Sequence, residues 1–491
     1  MSSIFINYQD TAQYPYSKDG YSPDYKYPEY RYNDISSQKN YVYEMIRESF
    51  FQLGYDKENF GTPNWNPLGY FIKPGQYVLI KPNMVLHENH IKGNGIECLI
   101  THPSLVRAVI DYVLIALQGS GKILVGDAPV QSCDFEKLLT VSGYMDLMNF
   151  YKHHGIDLEV VDFRNYKTIP KKGILVPESE VIPNKSVIVD LKNKSAFSKL
   201  SETQLRNLRI TNYDPRIMYE HHNHCTNEYL IAREVLYSDV IINMPKPKTH
   251  RKAGVTISLK NIVGINTNKE WLPHHTMGAK EEQGDEYDKK NIFSSMNSRL
   301  FDYKNIAIAE QKFVKARLLQ YLASLSLHFI KYFSKNDSYS EGSWFGNDTI
   351  WRTIYDLNMI LMYADKNGTL CDTRQRQMLI IGDMIISGEK EGPLLPSSKH
   401  SGIIAIGDNP VSFDEAICSI MGFNFNDIPT IKQAREYRSK YAIADNTSMI
   451  IHSNNHFWNN KTPNELDKDV SLHFVPSEGW KKQIKDGAYF L

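Results

Sequence analysis

Between Ser238 and Gly264 the chain reads SDVIINMPKPKTHRKAGVTISLKNIVG, and Lys246, Lys248, His250 and Lys260 follow one another within that run. Lysines bind carboxylate or phosphate as point charges. A histidine, with an ordinary pKa near neutrality, can donate or accept a proton. Lys260 stands apart because it interrupts the apolar segment Val255 to Val263. An ammonium in such surroundings is costly unless it is paired or used, and once desolvated it could act as base, electrostatic stabiliser or nucleophile. On a strand Lys260 shares a face with Ser258 and Ile262, and on a helix it neighbours Thr256 and Gly264; either way its stem is buried. Asn261 follows it directly. A second group lies in residues 266–287, which carry Lys269, Trp271, His274, His275, Asp285 and Glu286 without apolar periodicity. Long irregular loops of compact domains usually carry function. His274 and His275 are candidate acid/base groups, Asp285 and Glu286 could hold a metal or pair with a lysine, and Trp271 could stack on a sugar. The expectation is a lid over the pocket that holds Lys246 and His250.

Elements that end in loops must position these groups. Asp239 to Asn243 is a short apolar run typical of a buried parallel strand, broken by Met244-Pro-Lys-Pro-Lys248, where the prolines exclude helix. Ligands of open α/β sheets bind beyond the carboxyl ends of the strands. Tyr77 to Lys81 is a similar strand ended by Pro82-Asn83, so Lys81 and Asn83 project from its end. Thr101-His102-Pro103 caps and opens a helix to about Leu117, placing His102 beside a strand-end loop. Strands ending in Gly-Asp present Asp127, Asp383 and Asp408. If these carboxylates converge with the lysines, they form a polar pocket able to hold a divalent metal or a hydroxylated substrate. The cluster His221-His222-Asn223-His224-Cys225 is too tight to close a tetrahedral site alone; it reads as a site-lining loop, with His224 the candidate ligand. Glu228 to Tyr237 is expected to be a helix, and Ser387 to Pro393 a glycine-bearing loop.

The alternation of strand and helix predicts an α/β fold: mostly parallel doubly wound sheet(s), in two α/β lobes with a helical insertion. The divisions are 1–75, an N-terminal arm and helix; 76–290, the α/β domain with the Lys/His motif and lid; 291–345, the insertion; and 346–491, a second α/β segment completing the core. The arm is either a strand laid over the body or a poorly ordered terminus.

Charge is balanced at 56 basic and 56 acidic residues, and no basic helix is present, so nothing points to nucleic acid. The five cysteines are scattered without a C-x-x-C, which argues against disulfides, zinc ribbons and an iron–sulfur cluster. The N-terminus lacks the pattern of a secretory signal, and the longest apolar helix, Leu318 to Phe333, is too interrupted to span a bilayer. A cytoplasmic protein is expected. Oligomeric state is not legible.

The stretch PKPKTHRKAGVTISLKNIVGI resembles the signature of the family known as domain of unknown function 362, Pro-Lys-x-Lys-x-His followed by Val-Thr-x-x-x-Lys-Asn-x-x-Gly. The likeness extends to VLIKPN at 78–83, THPSLVRAVIDYV at 101–113, VGDAP at 125–129 and EGPLLPSSKHSGIIAIGDNPVSFDEAICSIMG at 391–422. Many relatives carry a ferredoxin-like cluster module whose cysteines are missing here. A more distant similarity is to the nickel-dependent lactate racemases: His250-Arg-Lys-Ala253-Gly254 is followed by Lys260 at the spacing of their histidine and cofactor-bearing lysine. Their glycine pair before the lysine is Ser258-Leu259 in this chain. The first resemblance implies an enzyme acting on a small anionic or sugar-derived substrate, by association in surface-polysaccharide biosynthesis. The second implies racemase-like or redox chemistry on a 2-hydroxy acid. A non-catalytic binder that keeps the pocket is the third reading.

Overall fold

A computed structural model describes residues 3–165, 167–171, 174–177, 186–333, 340–437, 439–445 and 449–484; for 170, 171, 177 and 328–333 it describes the backbone alone. Residues 334–339, inside the expected insertion, lie outside the described residues.

One ten-stranded sheet runs through the molecule. Its strands are β1 (Ser3–Tyr8), β2 (Tyr77–Pro82), β3 (Lys122–Asp127), β4 (Glu159–Asp162), β5 (Val240–Met244), β6 (Lys248–His250), β7 (Gly254–Thr256), β8 (Gln377–Glu391), β9 (Leu395–Gly407) and β10 (Ile450–Ser453). The order is β10-β1-β9-β8-β5-β2-β3-β4, with β6 and β7 a hairpin attached to β8. Along this order only β9 runs against its neighbours. The sheet is therefore mostly parallel, and its strands read as continuous apolar runs because both faces are covered. Val78 and Ile80 of β2 join the core beneath α1 (Tyr41–Gln52) and α2 (Pro103–Leu117), whereas Leu79 joins the opposite core.

The opposite face is closed by a one-turn helix α3 (Ser258–Asn261), by α6 (Ile350–Tyr363) and by α7 (Pro410–Ile420). Between α3 and α6 come two long helices, α4 (Ile292–Ala309) and α5 (Phe313–Phe333). The N-terminal arm is part of the body: β1 lies between β9 and β10, and Tyr21, Tyr27 and Tyr30 are buried.

Two local expectations change. Glu228–Tyr237 is split into a strand, Glu228–Ala232, and a short helix, Arg233–Tyr237. The strand pairs with Ser186–Asp190 outside the main sheet, with Tyr229 and Ile231 facing inward at period two. Ser387 to Glu391 is no loop, because β8 continues to Glu391 in register with β9. At the amino end of α2 the cap is His102, whose Nδ1 accepts the Ser104 N–H. Thr101 instead accepts from Asn83 N and donates to Met244 O, tying the ends of β2 and β5 together.

Candidate functional site

From β2 the parallel order proceeds outward through β3 on one side and through β5 on the other. That is the switch point where crevices form in doubly wound sheets. A cavity of about 590 Å³ lies there, lined by Asn83 and Asp127 from strand ends and by Lys248, His250 and Lys260 from the motif. Lys269 and His274 of the 266–287 segment line it too.

Its floor is a connected polar network. Lys248 Nζ donates to Asn83 Oδ1 at 2.7 Å and to Leu99 O at 2.5 Å. Asn83 Nδ2 donates to Asn261 Oδ1 at 2.9 Å, and Asn261 Nδ2 to Asn243 Oδ1 at 2.7 Å. Lys81 lies beneath, at 0% exposure, and pairs with Asp127 at 2.7 Å. Asp127 also accepts Met84 N and Ala128 N. Gly264 permits this approach, since a Cβ there would meet Asp127 Oδ1 at 1.8 Å. Asp127 is therefore a strut between loops.

Lys260 sits on α3, whose amino end is held from α7: Asp414 accepts Ser258 N, Ser258 Oγ and Leu259 N. Burial pushes the Asp414 carboxyl up to about 7. The Lys260 ammonium has no hydrogen-bond or ion-pair partner among the described residues, and burial, then nearby Lys81, lowers its pKa to about 8. Burial lowers Lys248 and Lys269 to about 7. Lys252, which the sequence reading quoted without selecting, also lines the cavity and is lowered to about 8 by burial.

Of the three histidines on the cavity wall, His250 and His274 have opposite polarity. His250 Nδ1 accepts the N–H groups of Lys252 and Ala253, each at 3.0 Å, so its proton resides on Nε2. His274 Nδ1 lies 2.7 Å from Leu272 O, which can only accept, so Nε2 of His274 is the acceptor. Burial, followed by Lys260 for His250 and by Lys252 for His274, holds both well below the usual imidazole range. The cavity thus offers one neutral donor and one neutral acceptor.

Gln131 was missed by the sequence reading. Arg164 donates to Val130 O and Gln131 O and so fixes this loop, yet neither side-chain polar atom of Gln131 has a partner among the described residues. The Thr256 and Thr168 hydroxyls, also on the cavity wall, are likewise unpaired. Buried polar atoms without partners are uncommon and mark places where a ligand completes the set. Gln131 and Thr168 carry no motif, so only the fold reveals them.

Several selected residues lie elsewhere. Lys246 pairs with Asp383 at 2.7 Å, both side chains at 0% exposure. Tyr14 of the arm donates to Asp383 and accepts from Lys246, and its ring stacks on His102 at 3.9 Å. This cluster is sealed by the arm, which removes Lys246, His102 and Asp383 from the cavity wall. Trp271 stacks one face on His221 at 3.5 Å and lies outside the cavity lining. His275 faces Lys252 from outside the cavity lining. Asp285 accepts Thr276 N, Asp348 N and Thr349 Oγ1, and Glu286 accepts Gly278 N and Ser298 Oγ. Burial raises these carboxyls to about 6 and about 7. The 266–287 segment is thus a buried wall. It contributes Lys269 and His274, while Phe301, Gln320 and Glu341 from the insertion complete the lining.

The four candidate metal ligands do not converge. Asp127 and Asp383 are held by lysines, exposed His224 lies 3.2 Å from Glu202, and Asp408 lies outside the cavity lining. No group of three or more His, Cys, Asp or Glu among the described residues is arranged to hold a metal ion. The Ser258-Leu259 pair before Lys260 is fully buried and engaged, Ser258 by Asp414 and Leu259 by the apolar core.

The sequence matches the profile of the family described as Domain of unknown function (DUF362) over residues 78–191 and 190–419. The chain belongs to the DUF362 family. Both matched segments carry cavity residues, Asn83 and Asp127 in the first, Lys248 to His274 in the second. The chain is 25% identical over 204 residues to "Thylakoid-associated protein sll1697" of Synechocystis sp., covering 41% of this chain and 43% of that protein. The match thus spans less than half of the curated relative's length. No solved structure gave a significant match. No helix among the described residues is long and apolar enough to cross a membrane.

Proposed function

We propose that this DUF362 protein is an enzyme that binds a small anionic substrate in the Lys248–Lys260–Lys269 cavity and moves a proton between substrate and His274. The observation that carries this reading is the convergence of Lys248, Lys252, Lys260 and Lys269, none ion-paired with a carboxylate among the described residues, on one cavity. Burial lowers the pKa of all four, and a carboxylate or phosphate would restore their charge. His250 Nε2–H is placed to polarise a substrate oxygen, and His274 Nε2 to accept a proton. Met84, Leu86, Ile210, Phe301 and Leu394 are also on the cavity wall, which suits a substrate with an apolar part beside its anionic group. A sugar-derived substrate loses its main support with Trp271 outside the cavity lining, and a place in polysaccharide biosynthesis rests on association alone.

The test is calorimetric titration with inorganic phosphate, a sugar 1-phosphate and a 2-hydroxy acid, repeated in buffers of different ionisation enthalpy at about pH 8.5. Binding with proton uptake is expected for at least one probe, with loss of binding in Lys260→Met. His274→Gln should retain binding and lose turnover, whereas a pure binder would lose nothing. No binding by any probe, with no small molecule retained in native mass spectrometry, overturns the reading.

A further inference from the structure

Helices α4 and α5 carry apolar side chains on both faces. Inward, Ile308, Phe313 and Leu319 pack around Ala307 and Ala316, and small or polar Asn297, Ser298, Asn305 and Ser326 are buried. Ser326 Oγ donates to Asn297 Oδ1 at 2.7 Å across the helix pair. The outward faces carry large apolar groups as well. On α5, Val314 is 83% exposed, Leu318 60% and Tyr321 63%, with Leu322 and Leu325 also exposed. These positions recur at the spacing of one helical face. On α4, Ile292 is 80% exposed, and Met296 and Tyr303 follow on the same face. A water-facing helix of a globular protein keeps such groups inward, and large apolar side chains repeated along one exposed helical face mark a surface that meets another apolar phase.

Charge selects which phase. The acids of this helix pair are already engaged: Asp302 pairs with Arg209, and Glu310 with Arg216 and Lys312. Exposed Arg299 and Lys315 have no ion-pair partner among the described residues. A second copy would bring these like charges against each other, whereas an anionic lipid surface would neutralise them. Apolar side chains rimmed by Lys, Arg and Tyr are the composition of helices that lie in the plane of a bilayer.

We infer that the α4–α5 hairpin docks the protein on an anionic membrane surface, its axis in the interfacial plane and no segment crossing. The same hairpin supplies Phe301 and Gln320 to the cavity lining, so docking would hold the catalytic cavity close to the lipid.

The experiment is flotation of the full chain with phosphatidylcholine vesicles and with vesicles containing a quarter phosphatidylglycerol. Wild-type protein should float with the anionic vesicles and roughly tenfold less with neutral ones or in high salt. L318E/L322E should abolish flotation while the melting temperature stays unchanged, because both side chains are already exposed. R299E/K315E should remove the preference for anionic lipid and keep weak binding. Absence of flotation with both vesicle types overturns the inference. So does a lipid-free dimer in light scattering that L318E/L322E dissociates, because a second copy would then cover the face.

Discussion

Lys81 and Lys246 lie as deep as Lys248, with Lys260 half-buried beside it, yet the two sets are built for opposite purposes. Each of the first pair meets an aspartate at 2.7 Å, and those aspartates are saturated by further donors. The second pair faces the cavity with only amide and carbonyl oxygens for Lys248 and no hydrogen-bond partner for Lys260. A buried ion pair tolerates no loss of one partner, whereas a buried unpaired ammonium is a standing cost that a ligand can offset. Depth of burial alone therefore does not identify a site lysine; what identifies it is the missing carboxylate.

The sharpest way to break this contrast is to remove one partner of the sealed pair. Lys246→Met leaves Asp383 buried without its cation and should lower stability by about 3–5 kcal/mol in chemical denaturation. A variant as stable as wild type would show that the arm cluster is no strut. Lys260→Met should do the reverse: stability unchanged or raised, and affinity for the anionic ligand reduced by roughly a hundredfold, about 2.7 kcal/mol. Equal affinity in the two proteins would erase the distinction.

Titration of the cavity lysines comes next; burial lowers Lys81 and Lys246 too, but against the pull of Asp127 and Asp383. Unfolded lysines titrate near about 10.4, whereas folded Lys248 and Lys269 do so at about 7 and Lys252 and Lys260 at about 8. Between these values the unfolded chain holds protons that the folded protein has shed, so stability rises with pH from about 7 towards about 10. The penalty is complete below the folded pKa values and relieved above them. Denaturation midpoints across this window should climb in wild type and climb less in Lys260→Met; a flat profile would mean the ammonium groups are better solvated than their burial implies.

The smallest effect belongs to the arm. Tyr14→Phe removes the hydroxyl between Lys246 and Asp383 while keeping the ring on His102, and should cost about 1 kcal/mol without altering anion binding. A change in ligand affinity would place the arm cluster in the site after all.

The amino-acid sequence by itself determined where β2, β3 and β5 end, though not β8, which continues past the expected end at Asp383 to Glu391. Apolar runs broken by Pro82, Pro245 and Pro247 fix where the chain leaves the sheet, and Lys248, His250 and Lys260, which follow the break, line the cavity. It also determined that Lys260 would be buried at its stem, because its neighbours on a strand and on a helix are alike. Only the tertiary structure decided which cations are neutralised. Lys246 meets Asp383 and Tyr14, residues more than a hundred positions away, and nothing in the proline-lysine spacing separates it from Lys248. The imidazole tautomers, the idle Gln131 amide and the occupied face of Trp271 likewise depend on partners brought together by folding. Local periodicity is written along the chain. Desolvation and pairing are properties of the assembled interior, where the sheet joins β1, β5 and β8 from distant parts of the sequence.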